Sequence, residues 1–137
     1  PPMEITTAML CDFAQVREGL LFISSGGVTR CHREELPAPI NVFMALVIEL
    51  DRIEAQRPHS MRVHIADEDG REIADVNGTF EFGSAEMLLL EENPTIPIAL
   101  DVRNAPVERY GPVQMSIYLD GEFRRSVTLH VMQSPEG

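Results

Sequence analysis

The chain has 137 residues, enough for one domain with its own core and too few for two ordinary ones. Hydrophobic residues make up 44% and charged residues 24%, a globular composition rather than a disordered one. With 22 acids against 11 bases the formal net charge is −11, which argues against a general nucleic-acid binder and against electrostatic docking on anionic lipid.

Every base is Arg, so Schiff-base and P-loop lysine chemistry is absent. Cys11 and Cys31 are too few for a disulfide framework. No apolar run reaches the length of a membrane span, and Pro1-Pro2-Met3-Glu4 has no secretory character. A cytoplasmic setting with both thiols free is expected. One domain over residues 3–132 and a short tail over 133–137 are also expected.

Ile5–Leu10 opens the chain as a strand. Leu20–Ile23 and Val28–Cys31 are short strands joined through Ser24-Ser25-Gly26-Gly27. That glycine stretch leads into a strand rather than a helix and lacks the lysine of a phosphate loop, so it reads as a bend. Cys31-His32 with Glu34 and Glu35 offers metal-ligand types, but no second ligand pair exists and no metal is expected. Ile40–Leu50 is almost continuously apolar and predicts a strand covered on both faces. Asp51–Gln56 has room for a helical turn or two.

Met61, Val63 and Ile65 alternate with Arg62 and His64, and Asp67-Glu68-Asp69-Gly70 supplies turn chemistry. The return strand, Arg71–Phe82, changes apolar phase near Ala74-Asp75, which predicts a bulge. Thr95–Val102 carries Pro97 after Pro94 and reads as an edge strand; the N-terminal strand is a second edge candidate. In the closing hairpin Val113, Met115, Ile117 and Leu119 alternate with polar residues, as do Phe123, Val127, Leu129 and Val131 after Asp120-Gly121. A three-residue loop, Leu119-Asp120-Gly121, would pair Ile117 with Phe123 and keep apolar facing apolar. The pattern predicts an all-β fold: an antiparallel β-sandwich of about eight strands, immunoglobulin-like in general arrangement.

No nucleophile elbow, zinc-protease helix or paired-cysteine motif is present, so no catalytic residue, cofactor or metal site is assigned. The run Met87-Leu88-Leu89-Leu90 cannot turn every leucine toward one core from a strand; it either folds over the open end of the sandwich or contacts a partner, and it is the candidate interface. Three stretches carry a resemblance: Cys11-Asp12-Phe13-Ala14 running to Gly19–Ile23, Gly26-Gly27-Val28-Thr29-Arg30, and the closing Tyr118–Glu122. In order and spacing the chain resembles a widespread, uncharacterised bacterial family of small single-domain β-sandwich proteins, a domain of unknown function. The resemblance marks Asp12, Phe13 and Gly19 as signature positions without a role, and implies a cytoplasmic all-β protein without implying an activity.

The expectation is a non-catalytic protein-interaction or accessory module that dimerises or binds a protein partner, with no nucleic acid and no membrane. The alternative is a small-molecule or calcium-binding sandwich, with Asp67-Glu68-Asp69 and Asp120 as its acidic loops. Titration of the unfolded, freshly purified protein should find two free thiols; finding none would contradict the reducing setting.

Overall fold

The computed structural model describes residues 3–83, 89 and 91–134. Its centre is strand β5 (Phe43–Leu50), whose eight residues include one charge, Glu49. Met44, Leu46, Ile48 and Leu50 point into the main core, while Phe43 and Ala45 point into a second, smaller cluster on the opposite face. The two-sided burial expected for Ile40–Leu50 is therefore present.

β5 pairs with β1 (Met3–Arg17) on one side and β8 (Thr95–Asp101) on the other. β1 continues into β2 (Leu20–Gly26), which completes a four-stranded antiparallel sheet in the order β2-β1-β5-β8. A second sheet runs β3-β11-β10-β6-β7, from β3 (Arg30–Arg33), β11 (Glu122–Gln133), β10 (Gly111–Leu119), β6 (His59–Ala66) and β7 (Glu72–Phe80). All its pairs are antiparallel except β3 with β11. A two-residue ribbon joins β4 (Ala38–Pro39) to β9 (Pro106–Val107). The described residues thus form eleven strands rather than about eight, and the helix candidate at Asp51–Gln56 is a 3₁₀ turn over Glu54–Gln56.

The main core takes side chains from both sheets: Met44, Leu46 and Ile48 from β5 with Val63, Ile65, Met115, Ile117 and Leu129 from β6, β10 and β11. β1 keeps its apolar residues on that core by a change of phase. Thr6 is an extra residue between the pairs Ile5↔Ile48 and Thr7↔Val47, so Met3 and Ile5 below it and Ala8 and Leu10 above it all face inward. β7 has the expected bulge at Ile73, just before Ala74-Asp75, where the register against β6 shifts.

Two expectations are corrected. The N-terminal strand is not an edge, because β2 lies outside it; β8 is an edge, as Pro97 indicated. The closing turn holds two residues, not three. Asp120 (φ 49°) and Gly121 (φ 82°) are both left-handed, and Leu119 pairs with Glu122. An extra residue at Arg124 then restores the phase, so Ile117 faces Arg125 and Phe123 stays exposed beside Tyr118. The Arg124 and Arg125 guanidiniums reach the carbonyl oxygens of Met3 and Ile5, tying this hairpin to the start of β1. Along it Met115, Ile117 and Leu129 are buried and Gln114 is exposed, while Ser116, Ser126, Val127 and Thr128 are half-buried.

Ile117→Ala should cost about 2–5 kcal/mol in urea unfolding, and Ser116→Ala less than about 0.5 kcal/mol. Equal costs would contradict the facing of β10.

Candidate functional site

The signature positions Asp12, Phe13 and Gly19 all lie on the β1–β2 hairpin. β1 leaves β5 after the pair Cys11↔Phe43 and continues with β2 alone, from Phe13↔Ser24 to Arg17↔Leu20. Glu18 (φ 51°) and Gly19 (φ 76°) close it as a two-residue turn of the mirror-image type. A side chain at Gly19 would touch nothing, so glycine is suited there by its backbone angle alone.

The hairpin curls over the outer face of its own sheet and makes the second cluster. Cys11, Ala14, Phe43 and Ala45 form its centre, with Met9, Leu21 and Ala99 against them. The small residues permit the close approach. At Gly26 a Cβ would lie 2.8 Å from Met9 Sδ, so the strand crosses Met9 with no side chain between. Phe13 sets its ring edge-on to Phe43, 5.0 Å between centroids, and the Arg103 guanidinium covers Phe43 at 4.7 Å. Asp101 holds Arg103 through both carboxylate oxygens, and that hydrogen bonding lowers the Asp101 pKa to about 2.

What the curl leaves uncovered is apolar. Phe13, Val16, Leu20, Phe22 and Ile23 are five of the ten most exposed large hydrophobic residues among those described. Leu20 is 63% and Phe22 48% exposed. By register Phe13, Leu20 and Phe22 share one face of the hairpin, and Val16 and Ile23 lie on the face of Ala14 and Leu21. Apolar exposure gathered on one element in this way marks interaction surfaces. The sequence identified Leu20–Ile23 as a strand but not its exposure, which follows from the hairpin's projection beyond β5. Of the expected interface, Leu89 is 73% exposed, with its N–H donating to Glu92 and its carbonyl accepting from Arg52. Met87, Leu88 and Leu90 lie outside the described residues.

A polar cluster, missed because its members are far apart in sequence, lies elsewhere. His59 is buried, with Nδ1 2.7 Å from Asp120 Oδ2 and Nε2 2.7 Å from the Glu54 carbonyl oxygen, and its ring stacks on Phe80. The carbonyl can only accept, so Nε2 carries a proton, and one further proton lies between Nδ1 and the carboxylate. Asp120 Oδ1 also accepts from the Ser60 N–H at 2.9 Å. Arg57 bonds Glu54 Oε2 at 2.8 Å and stands 3.9 Å from Asp120 Oδ2. Glu54, His59 and Asp120 are metal-ligand types within reach of one ion, but Arg57 already supplies a cation there and both ring nitrogens have protein partners. The cluster ties the 3₁₀ turn and the β10–β11 turn to the start of β6, and among the described residues the ring nitrogens bond a carboxylate and a carbonyl oxygen.

The other candidates are engaged in the same way. Asp67 Oδ1 accepts from the N–H groups of Asp69 and Arg71, Asp69 pairs with Arg109, and Asp120 belongs to His59, so the acidic turns do not converge on one cation. Cys11 and Cys31 are free, and burial raises both thiol pKa values, which keeps them from reactive thiolate chemistry. One cleft of about 300 Å³ lies beside Arg30, Gly111, His130, Val131 and Met132, at the lower limit for small-molecule sites. No described helix is long and apolar enough to cross a membrane.

Burial opposes ionisation of Asp120, yet its hydrogen bonds from His59 and Ser60 and the charges of His59 and Arg57 hold its carboxyl below the usual range. A depressed carboxylate stabilises the fold above its unfolded pKa, near 4, and that stability is lost as pH falls through the folded value. Urea unfolding from pH 7 to pH 2 should show this loss, and Asp120→Asn should flatten it. An unchanged slope would contradict the role given to the pair.

Among curated proteins none matched the chain. Of solved structures, the Pseudomonas fluorescens alkylpurine DNA glycosylase AlkC, bound to DNA containing an abasic site analog, aligns at 11% identity and a TM-score of 0.43. The alignment covers 96% of this chain but 30% of that one, and at that similarity it transfers no function. A family profile covers residues 6–132, and on that match the chain belongs to DUF6941, a family of unknown function.

Proposed function

We propose that this chain is a non-catalytic protein-interaction module that docks through the apolar surface of its β1–β2 hairpin, carried on an immunoglobulin-like sandwich arrangement. The observation that carries the reading is the gathering of Phe13, Val16, Leu20, Phe22 and Ile23 on one exposed hairpin. Such an arrangement favours desolvation as the driving force of association. The charge distribution supports a protein as the partner. Residues 9–29 carry only Asp12, Arg17 and Glu18, while the rest of the chain holds −10 of the net −11. That surface repels nucleic acid and anionic lipid, and the hairpin is where a protein meets the least charge. The non-catalytic reading is supported by inert thiols and by a histidine engaged on both nitrogens. A cytoplasmic setting fits the free cysteines.

The test is association of Leu20→Glu/Phe22→Glu, in pull-downs and in sedimentation, at low and high salt. Both side chains are about half exposed or more, so the variant should keep the wild-type unfolding midpoint while association falls at least about tenfold. Wild-type association should survive high salt, because screening removes repulsion between acidic surfaces. If association is unchanged in this variant and is lost instead in Leu88→Glu/Leu89→Glu, the docking surface is the leucine run and not the hairpin.

A further inference from the structure

Backbone pairing is the feature of the hairpin that its side-chain exposure leaves unexplained. The two sheets have four edge strands among those described: β2, β8, β3 and β7. Exposed edges are templates for pairing with another chain, and proteins guard them with proline, charge or short length. β8 carries Pro97 and ends in Asp101, β3 is four residues long with Arg30, His32 and Arg33, and β7 carries Glu72 and Asp75. β2 is Leu-Leu-Phe-Ile-Ser-Ser-Gly over seven residues, without proline and without charge. Every β2 residue except Leu21 is exposed.

Resting on the hairpin-docking reading, we infer that β2 is the seam of a homodimer: two copies pair antiparallel along β2 across a two-fold axis, joining their four-stranded sheets into one continuous sheet. The turn fixes which backbone groups are available. In a two-residue mirror-image turn the flanking residues, Arg17 and Leu20, exchange both hydrogen bonds, and the alternation continues to Gln15/Phe22 and Phe13/Ser24. Leu20, Phe22 and Ser24 therefore turn their N–H and C=O groups toward β1. Those of Leu21 and Ile23 face away from it, where no described strand pairs with them.

The seam is self-complementary in one register. With the two-fold axis normal to the sheet at Phe22, Leu21 lies opposite the Ile23 of the second copy, and each such pair exchanges both hydrogen bonds. Phe22 then meets Phe22 in the closer, non-bonded pair, and Leu20 meets Ser24. Opposite residues share a face, as a strand pair requires, and no like charges oppose each other on β2. The uncharged strand also answers why the occupant is a second copy. A chain of net charge −11 can approach itself only where its charge is sparse, and residues 9–29 are that place. The exposed parts of Leu20, Phe22 and Ile23 on β2 itself offer roughly 250–300 Å² per chain. Doubled across the axis and joined to the backbone strip, this is the apolar centre of a small two-fold interface, with Phe13 and Val16 on β1 one strand behind it.

Sedimentation equilibrium over micromolar to submillimolar concentrations tests the seam. The wild type should be a dimer, unweakened by high salt. Phe22→Lys places a charge against its own copy at the axis and should weaken dimerisation roughly 100-fold or more. Ile23→Pro removes an outward N–H that the β1 ladder does not use and should also give a monomer with wild-type circular dichroism. Phe22→Cys should cross-link on mild oxidation and release with reductant, because the non-bonded pair lies within disulfide reach. If Ile23→Pro fails to fold, Phe22→Lys and Phe22→Cys decide the matter. A monomeric wild type whose hairpin still captures a different protein, with capture lost in Leu20→Glu/Phe22→Glu, would overturn the seam and leave the docking reading standing. A dimer that resists Phe22→Lys and does not cross-link through Phe22→Cys would overturn both.

Discussion

The structure depends on one strand that is apolar on both faces. β5 has Met44, Leu46, Ile48 and Leu50 on one side and Phe43 and Ala45 on the other. A sheet built around such a strand needs cover twice, because leaving either face to water forfeits about 1.5–3 kcal/mol for each large side chain. The second sheet covers the first face. Among the described residues the end of the other face is covered by the β1–β2 hairpin, which outruns β5 and curls back across Phe43, together with the Arg103 guanidinium. Its small inner residues, Ala14 among them, let it lie close, and the Phe13–Phe43–Arg103–Asp101 stack fixes it there. A hairpin used as a cover has its own outer side and outer edge left over. In this chain those are Leu20, Phe22 and Ile23 with an unguarded backbone, so the solution to a packing problem creates the surface we assign to association.

The second organising contact is the His59–Asp120 pair. The closing turn could have kept apolar facing apolar with three residues, yet it uses two, with Asp120 left-handed. In that conformation the Asp120 carboxylate reaches the His59 ring and the Ser60 N–H together. The extra residue at Arg124 then repairs the phase of β11 without disturbing Leu129 and Val131 in the core. Tertiary hydrogen bonding across about sixty residues of sequence outweighed the local preference for matched faces.

How far the sequence reads in advance follows from the range of each signal. The continuous apolar run of β5, the edge character conferred by Pro97 and the inward side of β10 are local patterns, and each is legible from neighbouring residues. The turn length at Asp120-Gly121 is not, because it is decided by His59. The outer position of β2 is not, because hydropathy alone cannot tell a strand paired on both sides from one paired on a single side. Leu20–Ile23 is apolar by composition, and its place on a hairpin that projects past β5 makes it surface, whereas β8 at the other edge is half-buried along its interior. The signature positions Asp12, Phe13 and Gly19 were legible as a set but not as a site, until the fold placed all three on the hairpin.

Amide hydrogen exchange on β2 tests the central claim most directly, because it reports on individual backbone groups whose direction the hairpin turn dictates. In dilute, dissociated protein the Phe22 amide, facing β1, should be protected, while the Leu21 and Ile23 amides should exchange at nearly the free rate. On assembly the account predicts strong protection of Leu21 and Ile23, with little change at Phe22. Assembly that leaves Leu21 and Ile23 exchanging freely while protection appears on β7 or β8 would contradict it.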